Sequence, residues 1–155
     1  MKSLYMSGAL RLQRGVGLVE VMVAVLVLSV GLLGLAGLQV RTLRNSQSAL
    51  ERGVAVVESH AIADAMRADR DNAIDGDFDL ALTAAAPTGT AFAEVVLAAW
   101  RANLIASLGT DATGSVDCNG ADCLIVIQWN DSRGTQSGDT AVASETQQLT
   151  TQVQL

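Results

Sequence analysis

The chain holds one histidine, one proline and two cysteines, and aromatic residues make up only 3% of it. The single histidine, His60, has no Cys or His at metal-ligand spacing and reads as a surface residue. Cys118 and Cys123 flank Asn-Gly-Ala-Asp. A pair at this spacing lacks the other two ligands of a structural zinc site, and it is not the C-x-x-C of a redox enzyme. No Ser/His/Asp grouping is brought together by the predicted helices and strands. No Gly-rich loop lies between a strand and a helix in the phosphate-binding pattern. These absences argue against an enzyme and imply neither a metal nor a cofactor.

Acidic residues are absent before Glu20, whereas Lys2, Arg11 and Arg14 all precede it. Over the whole chain 10 basic residues face 16 acidic ones, a net charge of -6. Loss of Lys2, Arg11 and Arg14 with a leader would leave 7 basic residues against 16. Such an acidic body is a poor nucleic-acid binder on electrostatic grounds. The length of 155 residues leaves room for one domain. Mean hydropathy is +0.33, but the average hides an asymmetry. From Val16 to Leu38 the only charge is Glu20, while the rest is ordinary or polar. As a helix this run would rise roughly 34 Å, enough to span a bilayer core of about 30 Å. No A-x-A-like cleavage site is evident over Leu38–Asn45. The plain alternatives are an uncleaved signal anchor or a leader cut before the apolar run. Arg41, Arg44 and Arg52 follow the run, so basic residues tie at its two ends and orientation must rest on other evidence.

That evidence is the junction Arg14-Gly15-Val16-Gly17-Leu18-Val19-Glu20. The stretch Gln13–Gln39 resembles the class III signal of type IV prepilins and type II secretion pseudopilins. The resemblance implies cleavage on the cytoplasmic side between Gly15 and Val16, N-methylation of the new Val16 amine, and an assembly role for Glu20. Val16 stands where most of the family has Phe or Met. Independently of the family, a carboxylate within hydrocarbon wants a cation. The Val16 amine lies four residues away on the same helical face. Glu20 could neutralise its own amine or a neighbouring subunit's, the latter giving a register for assembly. A first-turn Glu favouring the helix dipole is the alternative.

Gly31, Gly34 and Gly37 fall near one face of the apolar helix and are candidates for close helix packing or local unwinding. A plain anchor that tolerates glycine accounts for them equally. Many major pilins carry a Pro near the position of Gly37. Beyond the span, Leu43–Met66 has no Pro, and Gly53 is its only Gly. Leu43, Leu50, Val54, Val57, Ala61 and Ala65 form a stripe from which Arg44, Glu51, Glu58 and Asp69 are excluded. One long helix is predicted from Val16 to about Arg67, its second half packed on a small head through this stripe, with Ser59 and His60 outward.

Asp69–Asp79 is an acidic linker that tempts a calcium reading. Starting from Asp71, position three is Ala73 and position twelve is Leu82, so the EF-hand pattern fails twice and a solvated loop is expected. A second helix is predicted over Ala91–Leu108, with Thr90 as N-cap and Gly109 past its end. Its apolar face would comprise Phe92, Val95, Val96, Ala99, Trp100, Leu104, Ile105 and Leu108. Strands are expected over Ser115–Cys118, Cys123–Asn130 and Thr146–Leu155, with a loop over Asp131–Asp139. The fold class is therefore α+β, a long N-terminal helix packed on a small antiparallel sheet.

The resemblance supplies the remaining expectations. It is closest to the minor pilins of the PilV group, the pilus modification proteins. It extends loosely through Met66-Arg-Ala-Asp-Arg70 and reappears in Val126-Ile-Gln-Trp-Asn130 and the C-terminal strand. It implies a cleaved leader over 1–15, a transmembrane and assembly helix over 16–40, and a pilin-like periplasmic head over 41–155. In the oxidising periplasm a Cys118–Cys123 disulfide is the default. The implied protein is a single-pass inner-membrane subunit that enters the pilus and primes its assembly, supporting adhesion and twitching motility. Its partners would be other minor pilins, the major pilin, the prepilin peptidase, the inner-membrane assembly platform and membrane lipid, with no nucleic acid. A minor pseudopilin of type II secretion and an uncleaved, signal-anchored periplasmic binding module are the alternatives.

Overall fold

A computed structural model describes Gly15, residues 17–132 and residues 146–155. Most of the expected leader, Val16, and most of the expected Asp131–Asp139 loop lie outside these residues. Helix α1 spans Leu18–Ala68, α2 spans Arg70–Ile74 and α3 spans Phe92–Leu108. Strands β1 (Thr113–Asn119), β2 (Asp122–Asn130) and β3 (Thr146–Gln154) follow. They form one antiparallel sheet in the order β1-β2-β3. The long helix followed by a small antiparallel sheet is the expected α+β class. By its internal contacts the chain divides into two units, Met1–Val40 and Arg41–Leu155.

Within the first unit α1 is unbroken through Gly31, Gly34 and Gly37, so local unwinding is not seen there. Ser29 satisfies its hydroxyl by donating to the Val25 carbonyl at 2.7 Å, which removes an orphan polar group from the apolar run.

In the second unit, α1 buries a different face from the predicted stripe. Glu51, Ala55, Ser59, Ile62, Ala63 and Met66 are buried, whereas Leu43, Leu50 and Val57 are 71%, 64% and 66% exposed. The small side chains of Ala55, Ser59 and Ala63 recur every four residues. They form a shallow line along which neighbouring elements approach the helix closely. Trp100 of α3 reaches the helix backbone, its Nε1 donating to the Glu58 carbonyl at 3.1 Å. Volume, not hydropathy, selects the face, so Ser59 is core rather than surface. His60 is exposed, as expected.

Helix α3 is likewise rotated from its predicted face. Ala93, Leu97, Trp100, Arg101, Leu104 and Leu108 are buried, and Phe92, Val95 and Ile105 are outward. The rotation follows from Arg101, whose Nη2 donates to the Ala81 carbonyl at 2.8 Å and so has its charge bonded inside. The N-cap is Ala91, not Thr90. Its backbone N–H donates to Glu94 Oε2 at 3.2 Å, a first-turn carboxylate taking an orphan donor. At the other end Gly109 adopts φ 110°, a conformation that disfavours any Cβ, and its N–H caps the Ile105 carbonyl.

The acidic linker is only partly solvated. It contains α2, and it buries Ala73 and Phe78 completely. Phe78 meets Phe92 edge to face at 6.4 Å. Its expected loop character fails there because one aromatic residue suffices to anchor the segment to the core.

Central strand β2 buries Cys123, Ile125, Val126, Ile127 and Trp129. These residues, except Val126, share one cluster with Ala55, Ile62, Met66, Leu97, Trp100 and Leu104. Gly120, at φ 64°, opens the two-residue turn between β1 and β2. Cys118 and Cys123 face each other across that hairpin, with Cα atoms 4.1 Å apart, and are joined by a disulfide. The strands already hold the pair together, and the closed loop is short. Reduction should therefore lower stability by less than the roughly 3 kcal/mol expected for a 15-residue loop. Thermal unfolding with and without reductant will show a shift of a few degrees with the fold retained.

Candidate processing and assembly segment

The start of α1 follows directly from backbone geometry. The Gly17 carbonyl accepts from the N–H groups of Glu20 and Val21 at 3.0 and 3.2 Å, closing the first turn. Gly15 and Gly17 are exposed, and a Cβ at either would meet nothing within 4 Å. Small, exposed glycines thus stand one residue to either side of position 16. Val16, the expected new N-terminus, lies outside the described residues.

Glu20 is exposed in the first turn, where a carboxylate is favoured by the four unpaired N–H groups. It makes no ion pair among the described residues. Among the described residues Glu20 therefore has a helix dipole but no cation.

The helix is long and apolar enough to cross a membrane, and its apolar window is not buried inside the chain. Val19, Val21, Met22, Val23, Val25, Leu26 and their successors to Val40 face outward all round. A helix that is apolar on every side belongs in lipid or in a helix bundle. Gly31, Gly34 and Gly37 are also open, and a Cβ added at any of them would meet nothing within 4 Å. No contact among the described residues explains these glycines.

The remaining predicted residues lie elsewhere. Cys118 and Cys123 form the hairpin disulfide described above, remote in sequence from the processing junction. Among the described residues no group of three or more His, Cys, Asp or Glu is arranged to hold a metal ion. Sequence reasoning missed four buried polar residues of the head: Glu51, Ser59, Arg101 and Asp131. Asp131 accepts a hydrogen bond from the Ser48 hydroxyl of α1. The signal for Arg101 was its spacing from Leu97, Leu104 and Leu108 on a mostly apolar helix. Glu58, beside Trp100, Val96 and Ile62, has its carboxyl pushed above the ordinary value by burial.

Comparison with known proteins bears on the N-terminal segment alone. Residues 10–36 match the family model of the prokaryotic N-terminal methylation motif. None of the curated proteins and none of the solved structures matches the chain. Proteins with this motif are structural proteins, not enzymes. The matched segment holds Gly15, Glu20, Gly31 and Gly34 and α1 from its start to residue 36. A methylation motif in this position, on a chain with a small α+β head, supports a type IV pilin-like or pseudopilin protein anchored in a membrane.

Proposed function

We propose that the chain is a minor pilin of the type IV pilus, of the PilV group, which primes or modifies pilus assembly and so supports adhesion and twitching motility. The observation that carries this reading is the coincidence of the methylation motif with the exposed start of an apolar helix bearing one acid, Glu20. On this reading residues 1–15 form a cytoplasmic leader that the prepilin peptidase removes between Gly15 and Val16, methylating the Val16 amine. Residues 16–40 hold the subunit in the inner membrane and later in the fibre. Residues 41–155 form the periplasmic head. Glu20 pairs with a terminal amine, its own or a neighbour's, and sets the docking register. Gly31, Gly34 and Gly37 let neighbouring helices approach closely, which fits their freedom from contacts among the described residues. Other minor pilins, the major pilin and the inner-membrane assembly platform are the protein partners.

Mass spectrometry of the protein from native envelopes should show a mature N-terminus at Val16 with a methylated amine. An intact Met1 would leave only a tethered acidic head. A minor pseudopilin of type II secretion fits the same motif. Deletion of the gene separates the two: loss of surface fibres with secretion intact supports the pilus, and the converse supports the secretion system.

A further inference from the structure

The two edges of the head's sheet are treated in opposite ways. On the β1 edge, Val116 exchanges both backbone hydrogen bonds with Leu80, at 2.8 and 3.0 Å. The Cys118 N–H donates to Asp79 Oδ1 at 2.9 Å, and the Thr113 hydroxyl donates to the Leu82 carbonyl at 2.9 Å. That edge is closed by residues 79–82. On the other side, the register of β2 with β3 and the Leu155 N–H bond to the Ala121 carbonyl fix the parity of β3. Leu149, Thr151 and Val153 bond inward to β2. Gln148, Thr150, Gln152 and Gln154 turn their N–H and C=O groups outward. Among the described residues no backbone group pairs with them.

Sequence reinforces the contrast. Edge strands are normally protected by charges, Pro or bulges. Thr146–Leu155 contains no charged residue, no Pro and no Gly, and its pairing with β2 runs without a bulge. The core is also unfinished at this edge, because Leu149 and Leu155 are only partly covered where they pack on it. An open row of alternating donors and acceptors accepts an extended chain and no other backbone shape.

We propose that the outer edge of β3 is a docking site for an extended segment of another pilin-like subunit, which adds a fourth strand to the head's sheet. The partner segment alternates apolar and polar residues, placing its apolar side chains beside Leu149, Val153 and Leu155. The nature of the partner rests on the minor-pilin reading; the open edge does not.

Hydrogen exchange on the full chain in detergent tests the edge first. The amides of Gln148, Thr150, Gln152 and Gln154 should exchange at least about a hundredfold faster than those of Leu149, Thr151 and Val153. Equal protection would overturn the proposal. In sheared fibres the same four amides should become protected, and continued rapid exchange there would overturn it. Thr150→Pro removes an N–H that bonds no described residue of the head, so its melting temperature should stay within a few degrees of wild type. Its recovery in fibres should fall about tenfold or more. If that variant does not fold, Thr150→Lys with Gln152→Lys places charges on the same edge and should give the same loss. Full recovery of a folded edge variant would sink the idea. Absence of the wild type from fibres would instead defeat the subunit reading. The edge would then stand or fall on exchange in native membranes, where rapid exchange of all four amides counts against it.

Discussion

Glu20→Val should leave membrane insertion intact or improved and should cut incorporation into filaments by about tenfold or more. The sign follows from two environments. In a lipid-embedded monomer the carboxylate is a cost, up to about 2.5–3.5 kcal/mol at the bilayer centre and less near the end where Glu20 lies. Valine removes that cost. On the proposed reading the carboxylate faces a terminal amine in the assembled bundle, and removing one member would leave the other charge unpaired in hydrocarbon. Glu20→Gln keeps size and hydrogen bonding but loses charge, so it should behave like Val. The measurement is the ratio of variant in sheared fibres to variant in membranes. Normal incorporation of both variants would reduce Glu20 to a first-turn residue that favours the helix dipole.

Gly114→Ala should be among the most destabilising single-methyl changes in the head. An added Cβ would lie 2.3 Å from Trp100 Cη2 and 3.0 Å from Leu104 Cδ1, both buried. Trp100 cannot move aside easily, because its Nε1 is tied to the Glu58 carbonyl. Overpacking of this kind costs about 1–3 kcal/mol. For a unit of this size that corresponds to a melting-temperature loss of roughly 5–15 °C. Thermal unfolding in detergent measures it. A loss below about 2 °C would mean that β1 shifts away from α3 freely. Gly53→Ala, on the exposed side of α1, is the comparison; it meets nothing within 4 Å and should stabilise slightly.

The elements were more legible in the sequence than their orientation. The long helix could be read because an uninterrupted apolar run and the absence of Pro are properties of composition. Strands β2 and β3 could be read from β-branched density over Leu124–Ile127 and from alternation over Leu149–Leu155. Which helical face would be buried could not be read from hydropathy. Leu50 and Val57 are more apolar than Ala55 and Ser59, yet the smaller pair is buried because it permits closer approach. Arg101 misled the reading of α3 for a related reason: its partner is a backbone carbonyl of Ala81, invisible in a pattern of side chains. Phe78 was hidden by its acidic neighbours. At the candidate site, Gly15 and Glu20 could be singled out because their spacing is a linear signal, and both lie within the motif match over residues 10–36.

The placement of the indole rings has a practical consequence. Trp100 and Trp129 are the only tryptophans, and both sit in the core of the head at 3% and 2% exposure. The apolar run from Val16 to Leu38 holds no aromatic residue. Tryptophan fluorescence of the intact chain therefore comes from one side of the Val40/Arg41 division alone. A red shift on heating will report melting of the head while the lipid-facing rod stays dark.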